Sequence, residues 1–416
     1  MKTHNGHIIK TGIVFLLVAV STMPLFKQPF GNYLLLGCVI LTLRNLYINK
    51  EAFLFLLLAL ALEIYHNFTF DNYDFSMTRQ VILLFATAIF IIYFIKLDFL
   101  PIYIDILFYF SLISFVFFAL YYADNGLITG FIRSIPGTFV KTTVNYGVES
   151  KQVNPVFYNF DSNYTELGRN NGPFWEPTVF ATMLIIAQIF NLLLNKKLFN
   201  KKGIVFSIAI LTTFSTTGFL AYFLLLVAYF LFSDRIRTGM KVVMMGAVCA
   251  ISIGLFTNLS FLSEKIDNEI EKTDQEMDKY GGDSRLASAL MDLNEVTEKP
   301  SYILFGKGVD ANSRIAGVDK EVLRNCGDTA LLIQWGAIFF IAYIGLLFYS
   351  FWELAGYYEI HRGFAFVFTL IFLLLGFSEV YFDLPFFFSF LFFGFIIKKQ
   401  YTTIIHDSLL HTYPGS

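Results

Sequence analysis

Charge is scarce in this chain. Asp, Glu, Lys and Arg together make up 15% of its 416 residues, where a soluble domain carries about 25%. Neither sign dominates. A formal net charge of -2 leaves no basic footprint for nucleic acid. Cysteine occurs three times, and Cys38 and Cys249 fall inside apolar runs. With Cys326 as the third, no disulfide framework or metal cluster can be read from them. No set of His, Glu and Asp has zinc spacing. No serine nucleophile elbow appears, and no Asp-x-Asp pair suggests a metal–nucleotide-sugar site.

What the chain has instead is apolar bulk. Hydrophobic residues make up 56% of it, including 51 phenylalanines and 23 tyrosines. One aqueous core cannot hide that much apolar surface. A bilayer accepts it, because lipid solvates apolar side chains on every face of a helix. Apolar runs fall near residues 11–26, 31–47, 52–65, 80–95, 100–122, 174–195, 203–217, 219–233, 242–261, 329–351, 363–379 and 384–397. Several are shorter than the ~20 residues of a perpendicular span. The polar start, with Lys2 and Lys10, is followed by an apolar run without a small-residue cleavage site. It reads as a retained first helix rather than a signal peptide.

The basic residues order these runs. With the N-terminus inside, the inner connections hold Arg44, Lys50, Lys96, the Lys196–Lys202 cluster, Arg235, Arg237, Lys241, Arg362, Lys398 and Lys399. The short outer connections hold little beyond Lys27 and Arg79. About twelve spans satisfy the positive-inside rule, and one fewer breaks the alternation. The stretch 203–233 reads as two short spans hinged at Gly218, because one long helix would put its flanking basic clusters on opposite sides.

The expected architecture is therefore an all-α, polytopic integral membrane protein with both termini cytoplasmic. Spans 1–5 occupy 1–122, an outer loop 123–173, spans 6–9 174–261, a second outer loop 262–328, spans 10–12 329–400, and a cytoplasmic tail 401–416. The first loop mixes Pro136, Gly137, Tyr146, Tyr158 and Tyr164 with asparagines. The second opens at Ser263 with mixed charges at helical spacing, the mark of a solvated helix. Gly281-Gly282 breaks it, a second helical stretch runs from Ser284 to Val296, and a turn-rich loop follows from Pro300 to Gly308. His66 is the one outer histidine placed to join a site, and its Asn67-Phe-Thr neighbours read as loop.

Three polar clusters could carry chemistry. The first is Gly168-Arg-Asn-Asn-Gly-Pro-Phe-Trp-Glu-Pro-Thr-Val-Phe-Ala, leading into the sixth span. Arg169 above the membrane could grip a phosphate with its guanidinium fork. Glu176 would sit in the first turn of a helix, where the dipole favours a carboxylate. The same residues also suit an interfacial anchor and a helix start. The second cluster gathers Arg285, Lys307 between Gly306 and Gly308, Arg314, Arg324 and Asp328. These cations could bind an anion or pair with the loop's own Asp283, Asp292, Glu295 and Glu298. Gly306-Lys-Gly lacks full P-loop spacing, so nucleotide binding is not expected. Asp328 could take a proton or cap a helix. The third, Thr212-Thr-Phe-Ser-Thr-Thr-Gly218-Phe-Leu-Ala, suits close helix packing or a polar groove.

With these residues in view, the sequence resembles the O-antigen polymerase and O-antigen ligase superfamily of bacterial envelopes. Arg169 to Ala181 looks like that family's Arg-x-x-Gly-x-Phe-x-Glu/His-Pro segment. Thr213 to Ala221 is similar to its Thr-x-Ser-Arg-x-Gly stretch. Ser284-Arg-Leu-Ala, Phe305-Gly-Lys-Gly and Asp328 to Gly336 look like its large outer loop and return helix. Ser215-Thr216 stands where the family has Ser-Arg. Arg324-Asn-Cys-Gly-Asp stands where ligases carry a His-Asn pair, which tilts the choice towards a polymerase.

The resemblance implies a GT-C-like membrane glycosyltransferase in a bacterial inner membrane, with its active site facing the periplasm. Its substrates would be oligosaccharide repeat units on undecaprenyl pyrophosphate, and a chain-length regulator a partner; no cofactor and no metal is implied. Arg169 and Arg285, with Arg314 and Arg324 in reserve, would stabilise the pyrophosphate leaving group. Glu176 or Asp328 would take the acceptor's proton. Tyr158, Tyr164 and Trp175 would stack on sugars. A ligase is the alternative within enzymes. A flippase of lipid-linked glycans is the alternative outside them, and it would be expected to show internal symmetry.

Overall fold

The computed structural model describes residues 2–26, 29–42, 50–70, 76–123, 134–145, 148–161, 168–233, 237–244, 284–309 and 325–399, with residues 132, 246, 271 and 273. In chain order the helices are α1 (Lys2–Thr22), α2 (Pro29–Thr42), α3 (Lys50–Thr69), α4 (Ser76–Ile95) and α5 (Phe99–Ala123). Strands β1 (Val140–Asn145), β2 (Val148–Val153) and β3 (Phe160–Asp161) follow. Then come α6 (Pro177–Asn195), α7 (Lys201–Thr212), α8 (Thr216–Phe232), α9 (Arg285–Thr297) and α10 (Pro300–Phe305). Last are α11 (Gly327–Tyr357), α12 (Gly363–Ser378) and α13 (Pro385–Ser389).

Among the described residues, four helical stretches have the length and composition to cross a membrane: Lys50–Thr69, Val81–Ala123, Pro177–Asn195 and Gly327–Tyr357. The second contains a short 3-10 turn at Lys96–Asp98, where Lys96 adopts a φ of 57°. Gly6–Thr22, Gly31–Ile40, Thr216–Phe232 and Gly363–Ser378 are apolar but shorter. The chain is thus a predominantly helical protein built to be embedded in a membrane. The span expected at 242–261 lies outside the described residues beyond 246, as do most of the charged stretch opening at Ser263 and the tail at 401–416.

The chain divides into two compact units. The first comprises Met1–Leu41 and Asp98–Tyr229. Within it α5 packs on α1, α6 and α7, and α6 packs on α7. Helix α6 is apolar almost all round, and 94% of its span-length window is buried, as expected of a central helix. Tyr103 of α5 donates its hydroxyl to the Met183 carbonyl of α6 at 2.8 Å, so this buried phenol keeps a partner.

Among the described residues, one feature departs from an all-helical chain. The first polar segment folds into a three-stranded antiparallel sheet in the order β1-β2-β3, with Val140 opposite Val153 and Val153 opposite Phe160. Val153, Tyr158 and Phe160 form its core, against Phe117 and Leu120 of α5. Pro136 and Gly137 read only as turn residues, whereas this alternation of valines with polar residues is a short strand signal.

The break between α7 and α8 falls at Thr213–Ser215, not at Gly218. Phe214 takes a left-handed φ of 46°. The Thr212 and Thr213 hydroxyls donate back to the carbonyls of Ala209 and Ile210 at 2.7 Å each, closing α7. The Ser215 hydroxyl accepts from the Gly218 amide at 3.1 Å, capping α8. Gly218 lies inside α8, where a Cβ would come within 2.6 Å of Ala181 Cβ. It is the close-packing glycine of the α6–α8 contact.

The second unit comprises Thr42–Leu97 and Phe230–Ser416. Helix α11 is its axis and packs on α3, α9, α10 and α12. Its core is phenylalanine-rich: Phe85 stacks on Phe388 at 3.9 Å between ring centres, and Phe55 lies 4.8 Å from Phe339. Helix α11 is interrupted at Gly336, whose φ of 78° and ψ of 170° belong to neither helical half. A helix break orphans backbone carbonyls. Here Lys307 and Gly308 satisfy them, donating their amides to Ile333 O (2.7 Å) and Gln334 O (3.0 Å).

Candidate functional site

In the first unit the Arg169 segment and the Thr212–Gly218 stretch are bonded together. Arg169 Nε donates to the Thr213 carbonyl at 3.1 Å. The Asn170 amide donates to Thr212 O at 3.0 Å. Asn170 Nδ2 donates to Thr212 Oγ1 (2.9 Å) and Ser114 Oγ (3.0 Å), and its Oδ1 accepts from the Gly172 amide at 3.0 Å. Both polar side-chain atoms and the amide of this fully buried asparagine are used, which fixes the loop's path. Gly172 has a φ of +52°, and a Cβ there would stand 3.0 Å from the Phe180 ring, so the turn requires glycine.

That turn delivers Trp175 and Glu176 to the start of α6. Trp175 is partly exposed and donates its amide to Thr22 O at 3.3 Å. Glu176 is the N-cap residue of α6, with Pro177 at the first helical position. Its side chain does not cap the helix, and among the described residues its shielded Oε1 accepts no hydrogen bond. A carboxylate held at a helix N-terminus without local bonds keeps its acceptor capacity for another group. Tyr158 belongs to the sheet's core. It is 5% exposed, its ring centre lies 5.1 Å from that of Phe117, and burial pushes its phenol above the usual tyrosine range. Packed this way, Tyr158 supports the segment and offers no face for a sugar to stack on. Tyr164 lies outside the described residues.

In the second unit Arg285 opens α9. Its Nε donates to Ser378 O at 2.9 Å and its Nη2 to Glu379 Oε1 at 3.2 Å, which ties α9 to the C-terminal end of α12. The same end receives Asp328. A Cβ on Gly327 would lie 2.3 Å from Glu379 O, and one on Gly376 would lie 2.6 Å from Asp328 Oδ1. Arg285, Glu379 and Asp328 therefore converge on residues 376–379. Among the described residues Asp328 Oδ1, shielded from solvent, accepts no hydrogen bond. Nearby, Asp292 Oδ2 accepts from Thr329 Oγ1 at 2.8 Å, and Ser288 Oγ accepts from the Asn325 amide at 3.2 Å. Arg314 and Arg324 lie outside the described residues. Among the described residues no group of three or more His, Cys, Asp or Glu side chains is placed to hold a metal ion.

The Gly306-Lys-Gly turn is not an anion cradle. Lys307 Nζ donates to Glu295 Oε1 at 2.8 Å with both side chains buried, and it sits 5.1 Å from the Tyr302 ring centre. The amides of Lys307 and Gly308 are spent on the broken α11. Two groups go beyond the site read from the sequence. Glu379 is the partner of Arg285. His66 lies in the last turn of α3, not in a loop, and is 4% exposed. Its Nε2 donates to Phe305 O at 2.6 Å, while Nδ1 faces Glu63 Oε1 at 3.9 Å. The Glu63–His66 spacing of one helical turn was the available signal.

No protein-family model matches the chain, and no curated protein matches it significantly.

Proposed function

We propose that the chain is a twelve-span, GT-C-like membrane glycosyltransferase. It joins oligosaccharide repeat units carried on undecaprenyl pyrophosphate into O-antigen or capsular polysaccharide, at the periplasmic leaflet of a bacterial inner membrane. The observation that carries this reading is a recurring pair. An arginine in each unit is fixed through Nε to a backbone carbonyl, Arg169 on Thr213 and Arg285 on Ser378. In the same segment or beside the same helix end stands a carboxylate oxygen, of Glu176 or Asp328, that is shielded and accepts no hydrogen bond among the described residues.

In this reaction an acceptor hydroxyl attacks the donor's anomeric carbon. The new glycosidic C–O bond forms as the C–O bond to pyrophosphate breaks, and undecaprenyl pyrophosphate leaves with the electron pair. The hydroxyl proton passes to a carboxylate, Asp328 or Glu176. The arginine of the same unit as that carboxylate, Arg285 or Arg169, stabilises charge growing on the leaving group. Trp175, partly exposed beside Glu176, supplies a stacking face for a sugar.

The test is a deletion strain complemented with wild type, Arg169→Ala, Arg285→Ala or Asp328→Asn, with surface glycan resolved on gels. A repeat-unit ladder with wild type, and a single capped unit with membrane-inserted variants, supports polymerisation. A ladder that persists on its lipid carrier in the deletion strain but never reaches a final acceptor makes the protein a ligase. Repeat units trapped on the cytoplasmic leaflet make it a flippase.

A further inference from the structure

Helix α9 turns its leucines outward and two carboxylates inward. Alongside Ala287, Ala289, Met291 and Val296, its buried face carries Ser288 and Asp292, each 1% exposed, and Glu295 at 8%. Each is bonded inward, to the Asn325 amide, the Thr329 hydroxyl and the Lys307 ammonium respectively. Its outward face carries Leu286, Leu290 and Leu293, which are 37%, 39% and 42% exposed, with the exposed Asn294 beside them. Thr297 completes that stripe at i, i+4, i+7 and i+11. Its hydroxyl turns back to Leu293 O and Asn294 O at 2.9 Å each, which spends its polar atom within the helix. In water the favoured arrangement is the reverse, with leucines packed in and carboxylates out. A face that buries its charges and presents leucines is matched to a surrounding medium that solvates leucine.

Exposed apolar residues lie on the neighbouring helices as well. Arg285 fixes the start of α9 to Ser378 at the end of α12, and α12 itself presents Phe366, Leu370 and Phe377. Beyond α9, α10 presents Ile303 and Leu304. Lys299, between the two helices, is fully exposed and reaches over the Tyr302 ring at 5.1 Å. An exposed lysine at the edge of a leucine surface is an anchor of a membrane interface.

We infer that the α9–α10 segment is seated in the bilayer, with the Leu286–Leu290–Leu293 face and Ile303–Leu304 in the acyl region of one leaflet. The occupant of this face is phospholipid. The second long polar segment is then not wholly aqueous, and the point where Arg285, Glu379 and Asp328 converge lies at the level of the lipid headgroups. This inference rests on the membrane-embedded character of the chain and not on the proposed glycosyl transfer.

The test uses the full chain reconstituted in phosphatidylcholine–phosphatidylglycerol liposomes. A nitroxide is placed at Leu290→Cys in a Cys249→Ser background; Cys38 and Cys326 are buried and resist labelling in the folded protein. Power saturation compares oxygen, which partitions into lipid, with a nickel chelate, which stays in water. The inference predicts that oxygen is the more effective relaxant at this position. A label relaxed mainly by the nickel chelate overturns it. A label reached by neither reagent also overturns it, because protein then covers the face, either a partner or a second copy. Leu286→Cys and Leu293→Cys read the same face should the first variant fail to insert.

Discussion

The buried pair Lys307–Glu295 should behave as a unit, and its strength can be worked from the structure. The two charges meet at 2.8 Å with side-chain exposures of 7% and 9%. The pair joins α9 to the turn that completes the broken α11. Removing one partner of such a pair leaves an uncompensated buried charge and costs about 3–5 kcal/mol. Lys307→Met also removes the cation from over the Tyr302 ring, a further ~1 kcal/mol. Replacing both charges by apolar groups removes the stranded charge and recovers most of the loss. Cys326 supplies the assay, because its thiol is fully buried beside the same packing and labels only when the unit opens. Each ~1.4 kcal/mol of lost stability speeds labelling about tenfold. Lys307→Met should therefore label at Cys326 at least ~100-fold faster than wild type, read by peptide mass spectrometry. Glu295→Leu with Lys307→Met should return to within ~10-fold. If the single variant stays within ~3-fold of wild type, or the double variant shows the sum of two single losses, the pair does not hold the unit and the reasoning fails.

The same labelling tests the break in α11. A Cβ on Gly336 would stand 2.3 Å from Leu304 O at a φ of 78°, so Gly336→Ala should cost more than ~2 kcal/mol. Gly345→Ala, with nothing within 4 Å of its Cβ, should be neutral or stabilise slightly. Arg285→Lys keeps the charge but not the fork that spans Ser378 O and Glu379. It should lower stability by ~1–2 kcal/mol, seen as faster amide exchange at the start of α9. Ser284→Ala removes the hydroxyl that accepts from the Ala287 amide at 3.1 Å and should cost ~1 kcal/mol in the same exchange experiment. Gly218→Leu should separate α6 from α8, because even a Cβ there meets Ala181 at 2.6 Å. A Gly218→Leu protein that melts at the wild-type temperature would remove that contact from the account.

These predictions rest on features that were unequally visible in the sequence. The helices could be read because Phe and Leu run through them without interruption and hydropathy is additive along a chain. Backbone breaks were harder. Gly218 looked like a hinge because glycine is flexible in isolation, yet it serves packing, and the hinge fell on Phe214. There Thr213 and Ser215 do the capping that their short hydroxyl side chains favour. Gly306-Lys-Gly looked like a weak anion turn because the pattern records residue types but not which atoms are already bonded. Its amides go to the carbonyls of Ile333 and Gln334, each 26 residues further along the chain and freed by the break at Gly336, a distance that no local window contains. The ion partners show the same limit. Glu295 is in the same loop as Lys307 and was among the acids weighed for it. The partner of Arg285 is Glu379, from the far end of α12, because the helix packing and not the sequence distance decides which carboxylate a guanidinium meets. The inverted face of α9 was open to reading all along: Leu286, Leu290 and Leu293 alternate with Ser288, Asp292 and Glu295 at helical period. Periodicity alone states that the helix has two faces. Only the burial of the charged one says that the leucines look outwards, and that lipid rather than water is what they meet.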